Sequence, residues 1–224
     1  MRRPPVTFKA GSKVLSDIAS SKIWGEILPP RIVACETRVP GRIDCLYRGE
    51  RKAVANAITR RVEEFAAGRA CARAALLQLG IPPQPLLRGR DGAVLWPDGI
   101  VGAITHTRGY CAAAVARRSD YSGLGIDAEE VGRMTSEMWP LICSADEGAW
   151  FTGTNAPLET ATLLFSAKEA VFKCCPGDFP NFREVTIRLR EGTFHVEVPA
   201  TPQLQPGRYR VADALVFSGI ARSA

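Results

Sequence analysis

The sequence predicts an α+β protein organised as two halves, residues 1–122 and 123–224, because helix and strand patterns occur in both parts of the chain. Charge divides along nearly the same line. Residues 1–124 carry 20 Lys and Arg against 10 Asp and Glu, whereas residues 125–224 carry 9 against 13. A basic half suits an anionic partner such as phosphate, nucleic acid or a membrane surface, and an acidic half suits a divalent cation.

The first half is built around one basic helix. Apolar residues at helical spacing predict it from about Asn56 to Leu79, with Gly80 as its stop signal. Arg61, Arg69 and Arg73 fall on one side of that helix. The predicted strands are Arg31–Glu36, short runs around the turns at Asp91–Gly92 and Pro97–Gly99, and the apolar run Tyr110–Ala116, for which a strand is favoured over a helix.

The second half follows a polar joint at Arg117–Gly123. A strand is predicted at Leu124–Glu129, then a loop-rich stretch to about Pro157 and a helix from about Leu158 to Cys175. Alternating residues at Val185–Arg190 and Arg208–Phe217 predict two or three further strands. Each half therefore contains one long helix and a few strands.

Composition narrows the class of protein. The chain has 224 residues, of which 46% are apolar and 23% charged, and these values are typical of globular proteins. Its seven scattered cysteines show no disulfide framework, which predicts a reducing, cytoplasmic setting. Two histidines in all argue against a zinc site. No apolar run is long enough to span a membrane, so no membrane partner is expected.

A pair of acids lies in the strand GLGIDAEEV. Asp127 and Glu129 are two residues apart, so both carboxylates leave the same face of the strand, with Cα atoms about 6.5 Å apart. Such a pair is either a solvated strand face or half of a site for a hard cation.

A third acid lies in the helix segment FSAKEAVFK. Lys168 and Glu169 project into the apolar stripe marked by Phe165 and Phe172. Charges on a packing face are costly unless they are paired or bind a ligand, so this is either an internal salt bridge or a working site. Together with the strand pair, Glu169 completes a set of three oxygen ligands suited to Mg²⁺.

Basic candidates for an anion site come from the first half. His106 follows a glycine-containing strand in WPDGIVGAITHTRGY and precedes Gly109, so a ligand can approach closely. Arg61, Arg69 and Arg88 are candidate phosphate contacts. The competing interpretation is an ordinary hydrogen-bonded histidine and solvated arginines, which we favour for Arg60.

Three segments in this order resemble the motifs of the 4′-phosphopantetheinyl transferases, in particular the long class that serves enterobactin and surfactin synthetases. They are WPDGIVGAITHTRGY, GLGIDAEE and FSAKEAVFK, and RVEEFAAGRACARAAL resembles the basic helix of that class. The resemblance implies two similar α+β halves forming an intramolecular pseudo-dimer, with the active site in the cleft between them. It also implies a monomer that uses coenzyme A and Mg²⁺.

The resemblance implies a role for each candidate. Asp127, Glu129 and Glu169 match the magnesium-binding acids, and Glu169 is also the candidate base. Lys168 would stabilise the pyrophosphate or protonate the leaving phosphate. The residues expected to hold the phosphates of coenzyme A are His106, Arg61, Arg69 and Arg88. The family usually has Ser where this chain has Ala103, which removes one hydroxyl contact to a phosphate.

The implied reaction transfers 4′-phosphopantetheine from coenzyme A to a serine of an apo acyl or peptidyl carrier protein, and releases adenosine 3′,5′-bisphosphate. Siderophore or other secondary-metabolite synthases are the expected context. Two other functions fit part of the pattern. A basic nucleic-acid-binding module would explain the arginine-rich helix but not the three acids, and its aromatic residues are not interleaved with the basic ones. Another Mg²⁺-dependent phosphoryl-transfer enzyme would explain the acids but not the helix.

Overall fold

Two antiparallel sheets form the frame of the protein in a computed structural model, which describes residues 18–90, 92–144, 146–147, 157–197 and 204–224. The first sheet has the strand order β1-β2-β4-β3. The first-half elements are β1 (Ala19–Ser20), α1 (Lys22–Ile27), β2 (Val33–Thr37), α2 (Arg48–Lys52), α3 (Thr59–Gln78), β3 (Ile100–Thr107) and β4 (Tyr110–Arg117).

The second sheet has the order β5-β9-β8-β7-β6. Its half contains β5 (Tyr121–Glu130), α4 (Trp139–Ile142), α5 (Pro157–Cys174), β6 (Thr186–Arg190), β7 (Thr193–Glu197), β8 (Gly207–Ala212) and β9 (Leu215–Ser223). Short 3₁₀ turns occur at Ile43–Cys45, Ser136–Met138 and Phe182–Glu184. The predicted α+β class, with helix and strands in both halves, is confirmed.

Each long helix covers one sheet. α3 buries Cys71, Ala75 and Leu76 against the strands of the first half. α5 lies unusually close to β5 because a glycine stands at the crossing: a Cβ at Gly125 would collide with the carbonyl oxygen of Ala170. A larger residue there would push α5 away from the strand that carries Asp127 and Glu129.

The two halves share one apolar core. Trp24 and Tyr110 of the first half meet the ring of Phe217 edge-on, with centroids 5.5 Å and 5.4 Å away. The Trp24 indole Nε1 donates a hydrogen bond of 2.8 Å to the Tyr110 hydroxyl, which donates one of 2.7 Å to Glu36. Because side chains of both halves fill this core, the relative position of the two sheets is fixed.

The tail differs from its prediction. The segment Arg208–Phe217 is a hairpin of β8 and β9, and with β6 and β7 the tail contains four strands where the sequence pattern predicts two or three. The hairpin turn consists of Asp213 and Ala214, with φ values of 52° and 58°. Such a turn is usually marked by Asn-Gly or Asp-Gly, so the sequence carries no ordinary turn signal here.

Other boundaries agree within a few residues. β4 is a strand, as favoured, and α3 and α5 lie within three residues of their predicted ends. β5 begins at Tyr121, inside the stretch predicted as the joint. Asp91 of the first predicted turn, and residues 145 and 148–156 of the predicted loop before Pro157, lie outside the described residues.

Candidate active site

A cleft of about 460 Å³ lies between the two halves, lined by residues of α3 and β3 on one side and of β5 and α5 on the other. The structure brings seven of the eight predicted site residues to its walls. They are Arg61, Arg69, Arg88, His106, Asp127, Glu129 and Glu169. Cations of the first half thus face carboxylates of the second across one cavity.

The acidic wall contains two buried carboxylate oxygens that lack a hydrogen-bond donor among the described residues, Asp127 Oδ2 and Glu129 Oε2. The other Asp127 oxygen, Oδ1, accepts hydrogen bonds from Lys173 Nζ at 2.6 Å and from Thr105 Oγ1 at 3.2 Å. Arg133 Nη1 lies 3.2 Å from Glu129 Oε2 as an ion pair. Buried carboxylate oxygens without donors are costly in a folded protein, so this wall suits a cationic ligand.

Burial controls the protonation of these acids. It raises the pKa of Glu129 to about 7, and the neighbouring Asp127 charge adds to that effect. Burial also raises the pKa of Glu169, against the opposing attraction of Lys173. Within the described ranges, no three His, Cys, Asp or Glu side chains are arranged as a complete metal-binding group. The orphaned oxygens and the all-oxygen donor set nevertheless fit a hard divalent cation.

Lys173 places an ammonium group among these acids. Its Nζ lies 2.6 Å from Asp127 Oδ1 and 3.9 Å from Glu169 Oε2. Burial opposes its charge, but Asp127 and Glu169 outweigh burial and raise the pKa of Lys173. The sequence offered a signal for this residue, since Lys173 follows Glu169 by four and shares its helix face, but that spacing is also typical of a surface pair.

Lys168 departs from its prediction. Its side chain is fully buried, and its Nζ donates to Glu147 at 2.6 Å and to the carbonyl oxygens of Ile142 and Phe182 at 2.8 and 2.9 Å. It does not line the cleft. The two predicted alternatives for Lys168 and Glu169 therefore apply to different residues: Lys168 forms an internal salt bridge, and Glu169 faces the cavity.

The basic wall is held by contacts within the first half. Arg69 is 4% exposed, donates from Nε to the Leu86 carbonyl at 2.8 Å and lies 4.3 Å from the centroid of the Phe65 ring. Burial lowers the pKa of Arg69 to about 10. Arg88 Nε donates to the carbonyl of Gly92 at 3.0 Å. Most of the cations are thus oriented before any ligand arrives.

Sequence reasoning missed two residues, one buried behind the cleft wall and one in its lining. Thr105 connects the halves, because its Oγ1 donates to Asp127 and accepts from the Ala128 backbone N–H at 3.0 Å. Glu64 is an acid among the arginines of α3, and it lines the cleft together with Arg60. Ala103 does not line the cleft but a neighbouring, more apolar groove of about 570 Å³.

Family models match both halves of the chain. Residues 49–116 match the 4′-phosphopantetheinyl transferase N-terminal domain, and residues 123–212 match the 4′-phosphopantetheinyl transferase superfamily. The chain is 35% identical over 196 residues to the 4′-phosphopantetheinyl transferase Npt of Nocardia iowensis, an alignment that covers 78% of this chain and 88% of Npt. The chain belongs to the 4′-phosphopantetheinyl transferase superfamily.

Two further relatives are similar to this member of the superfamily. The 4′-phosphopantetheinyl transferase Svp of Streptomyces mobaraensis is 47% identical over 134 residues, which are 58% of this chain and 54% of Svp. Component D of enterobactin synthase from Salmonella typhi is 32% identical over 164 residues, which are 71% of this chain and 68% of that protein. The predicted family is confirmed, and it is favoured over a nucleic-acid-binding module. Among the described residues, no helix of this family member is both long and apolar enough to cross a membrane.

Proposed function

We propose that this phosphopantetheinyl transferase moves the 4′-phosphopantetheine group from coenzyme A to a serine of an apo acyl or peptidyl carrier protein. The serine oxygen forms a bond to the phosphorus that carries pantetheine. The bond from that phosphorus to the bridging oxygen breaks, the serine loses its proton, and adenosine 3′,5′-bisphosphate leaves. One observation carries the proposal: in a single cleft, arginine and histidine side chains, which suit phosphate, lie opposite three carboxylates.

The first half would hold the nucleotide end of coenzyme A. Arg61, Arg69 and Arg88 offer fixed guanidinium donors, which suit phosphate because they can form two hydrogen bonds to it in one plane. His106 lies on the same wall. We assign this role to residues 1–122 and the acidic role to residues 123–224.

The second half would hold Mg²⁺ through Asp127, Glu129 and Glu169, and the ion would supply neutralisation of the pyrophosphate charge. Lys173, rather than Lys168, is the ammonium that this structure puts beside those acids, so we assign the pyrophosphate contact to Lys173. Thr105 would keep Asp127 in place, since it hydrogen-bonds both that side chain and the next backbone N–H.

Glu169 is the proposed base. A serine hydroxyl must lose its proton as it attacks, and a carboxylate with a raised pKa accepts a proton near neutral pH better than an ordinary one. Burial raises the pKa of Glu169 in this way. The side chain also faces the cavity, so a serine that enters from solvent can reach it.

The cellular setting follows from the same proposal. All seven cysteines are unpaired thiols, which supports a reducing cytoplasm. Both walls of the cleft come from one chain, which supports a monomer as the active form. We expect carrier domains of siderophore or other secondary-metabolite synthases to be its protein substrates.

Intact-mass spectrometry tests the proposal directly. An apo carrier domain incubated with the protein, Mg²⁺ and coenzyme A should gain about 340 Da, the mass of phosphopantetheine. An unchanged carrier mass across acyl and peptidyl carrier domains, with coenzyme A still binding, would contradict it. Glu169→Gln is the control that should bind coenzyme A without modifying the carrier.

A further inference from the structure

Glu64 is the one acid of the first half that lines the cleft, as far as the described residues show. Its Oε1 accepts a hydrogen bond of 2.8 Å from Arg60 Nε. Its Oε2 lies 3.7 Å from Arg61 Nη1 and also 3.7 Å from His106 Nε2. An acid here is unexpected, because a carboxylate repels the phosphates that this wall would bind.

The contact between Arg61 and His106 explains what an acid can do there. Arg61 Nη1 lies within hydrogen-bond distance of His106 Nε2. A guanidinium can only donate, so a hydrogen bond at this contact requires a neutral imidazole whose Nε2 accepts. In that state Nε2 has no proton to offer to a phosphate oxygen.

Glu64 is placed to change this state. The groups that face His106 are Arg61 and Glu64 on α3, Lys173 on α5 and Cys111 on the paired strand β4. Burial lowers the pKa of His106, Arg61 and Lys173 lower it further, and Glu64 alone among the charged neighbours raises it. A phosphate that draws Arg61 away from Nε2 would leave Glu64 as the counter-charge for a protonated imidazole.

We propose that Glu64 is a positioning residue for the coenzyme-phosphate site: it aligns Arg60 and Arg61 and lets His106 take up a proton when phosphate binds. The arriving phosphate then meets an imidazolium as well as the guanidinium groups. This inference rests on the proposed function, because it deepens the role of the same wall.

The steady-state test is Glu64→Gln, which keeps the shape of the side chain and removes its charge. We expect the KM for coenzyme A to rise about tenfold with kcat within about twofold, since one charge-assisted contact is lost in binding. Removing a merely repulsive carboxylate would instead lower the KM. An unchanged or lowered KM would overturn the proposal.

Glu63→Gln is the matched control. It removes the same charge from the neighbouring position, but Glu63 lines an adjoining pocket and not the cleft itself. Its KM for coenzyme A should stay within about twofold of the wild-type value, as expected for a partly solvated charge. An equal rise in both variants would mean that net charge, and not the position of Glu64, sets the affinity, and would overturn the proposal.

A titration of the histidines by NMR gives a readout that needs no turnover. The sequence has two histidines, and His195 on β7 of the other half serves as the internal reference. Adenosine 3′,5′-bisphosphate should raise the pKa of His106 in the wild type, and Glu64→Gln should lower that pKa in the free protein. If the His106 titration moves in neither case, the proposal is wrong. If the histidine responds as expected but no carrier is modified, the proposed function fails instead.

Discussion

Each half contains a buried glutamate that accepts hydrogen bonds from a cation of its long helix and from two backbone N–H groups. The two halves differ at the cleft. In the first half, Glu50 lies at the start of α2 and accepts hydrogen bonds from Arg73 of α3 at 2.8 Å and from the backbone N–H groups of Tyr47 and Leu86 at 2.8 and 2.9 Å. Both partners of the Arg73–Glu50 pair are buried. The carboxylate therefore connects the long helix to two loops.

The second half repeats this arrangement with other residues. Glu147 accepts hydrogen bonds from Lys168 of α5 at 2.6 Å and from the backbone N–H groups of Ser144 and Ile187 at 2.7 and 2.6 Å. This pair is also buried. In both halves, one glutamate holds the long helix against its surroundings through a cation and two backbone donors.

At the cleft the likeness ends. Cations of the first half already have partners, such as Glu64 for Arg60 and the Leu86 carbonyl for Arg69. The second half leaves Asp127 Oδ2 and Glu129 Oε2 without a hydrogen-bond donor in the described chain. The buried glutamate–cation pair that both halves share therefore supports the fold. The proposed reaction depends on the cleft walls, which differ between the halves.

The largest expected effect is on the acidic wall. Glu169→Gln should reduce carrier modification by roughly 10²–10⁴-fold, because it removes the proposed base. Glu159→Gln, on an exposed position of the same helix, is the matched control and should retain wild-type turnover. Turnover of Glu169→Gln within tenfold of the wild type would show that another group takes the proton.

The buried glutamate–cation pair should stabilise the folded state in both halves. Lys168→Met and Arg73→Met should each lower the free energy of unfolding by about 3–5 kcal/mol, because a buried glutamate loses its cation. Denaturant unfolding measures this loss. Below the transition, Lys168→Met should keep the KM for coenzyme A, since its side chain does not line the cleft. A raised KM without loss of stability would return Lys168 to the substrate site.

The buried carboxyl group of Glu129 predicts a pH dependence of stability in the absence of metal. The pKa of Glu129 is raised from 4.5 to about 7, so the folded state binds its proton more tightly than the unfolded state does. This contribution, up to about 3 kcal/mol, is fully present below pH 4.5 and is lost as pH rises through 7. In EDTA, Glu129→Gln should flatten the change in unfolding free energy between pH 5 and pH 8. The same slope in the variant would refute this source.

A divalent cation should offset the free-energy cost of burying the carboxylates of the acidic wall. At a Mg²⁺ concentration 100 times its Kd, the free energy of unfolding should rise by about 2.7 kcal/mol, because only the folded state collects the carboxylates. Thermal unfolding with and without Mg²⁺ measures this effect. Asp127→Asn should abolish most of the increase, and an undiminished increase in that variant would place the ion elsewhere.

The sequence was sufficient for the frame and for most of the cleft. Periodicity located α3, α5 and β5, because each buries a regular apolar face. Ordered motifs located Asp127, Glu129 and Glu169 because their spacing on one strand and one helix face is local. The roles of these residues remain predictions.

What the sequence could not supply depends on contacts distant in the chain. A helical projection does not show which of Lys168 and Lys173 faces the cleft. Lys168 pairs with Glu147 inside the protein, whereas Lys173 pairs with Asp127 at the cleft, and both partners are distant in the chain. Thr105 has no local signal, because its partner Asp127 is 22 residues away. The turn at Asp213 and Ala214 lacks glycine, so the sequence could not decide whether Arg208–Phe217 forms one strand or two.

Binding of adenosine 3′,5′-bisphosphate in EDTA, measured by titration calorimetry, tests most directly whether the two walls divide the work. Arg61→Gln should weaken binding by about tenfold, the value of one charge-assisted hydrogen bond. Asp127→Asn should bind as tightly as the wild type or more tightly, because it removes a negative charge from the opposite wall. Equal weakening in both variants would contradict a basic wall that holds the nucleotide and an acidic wall that does not.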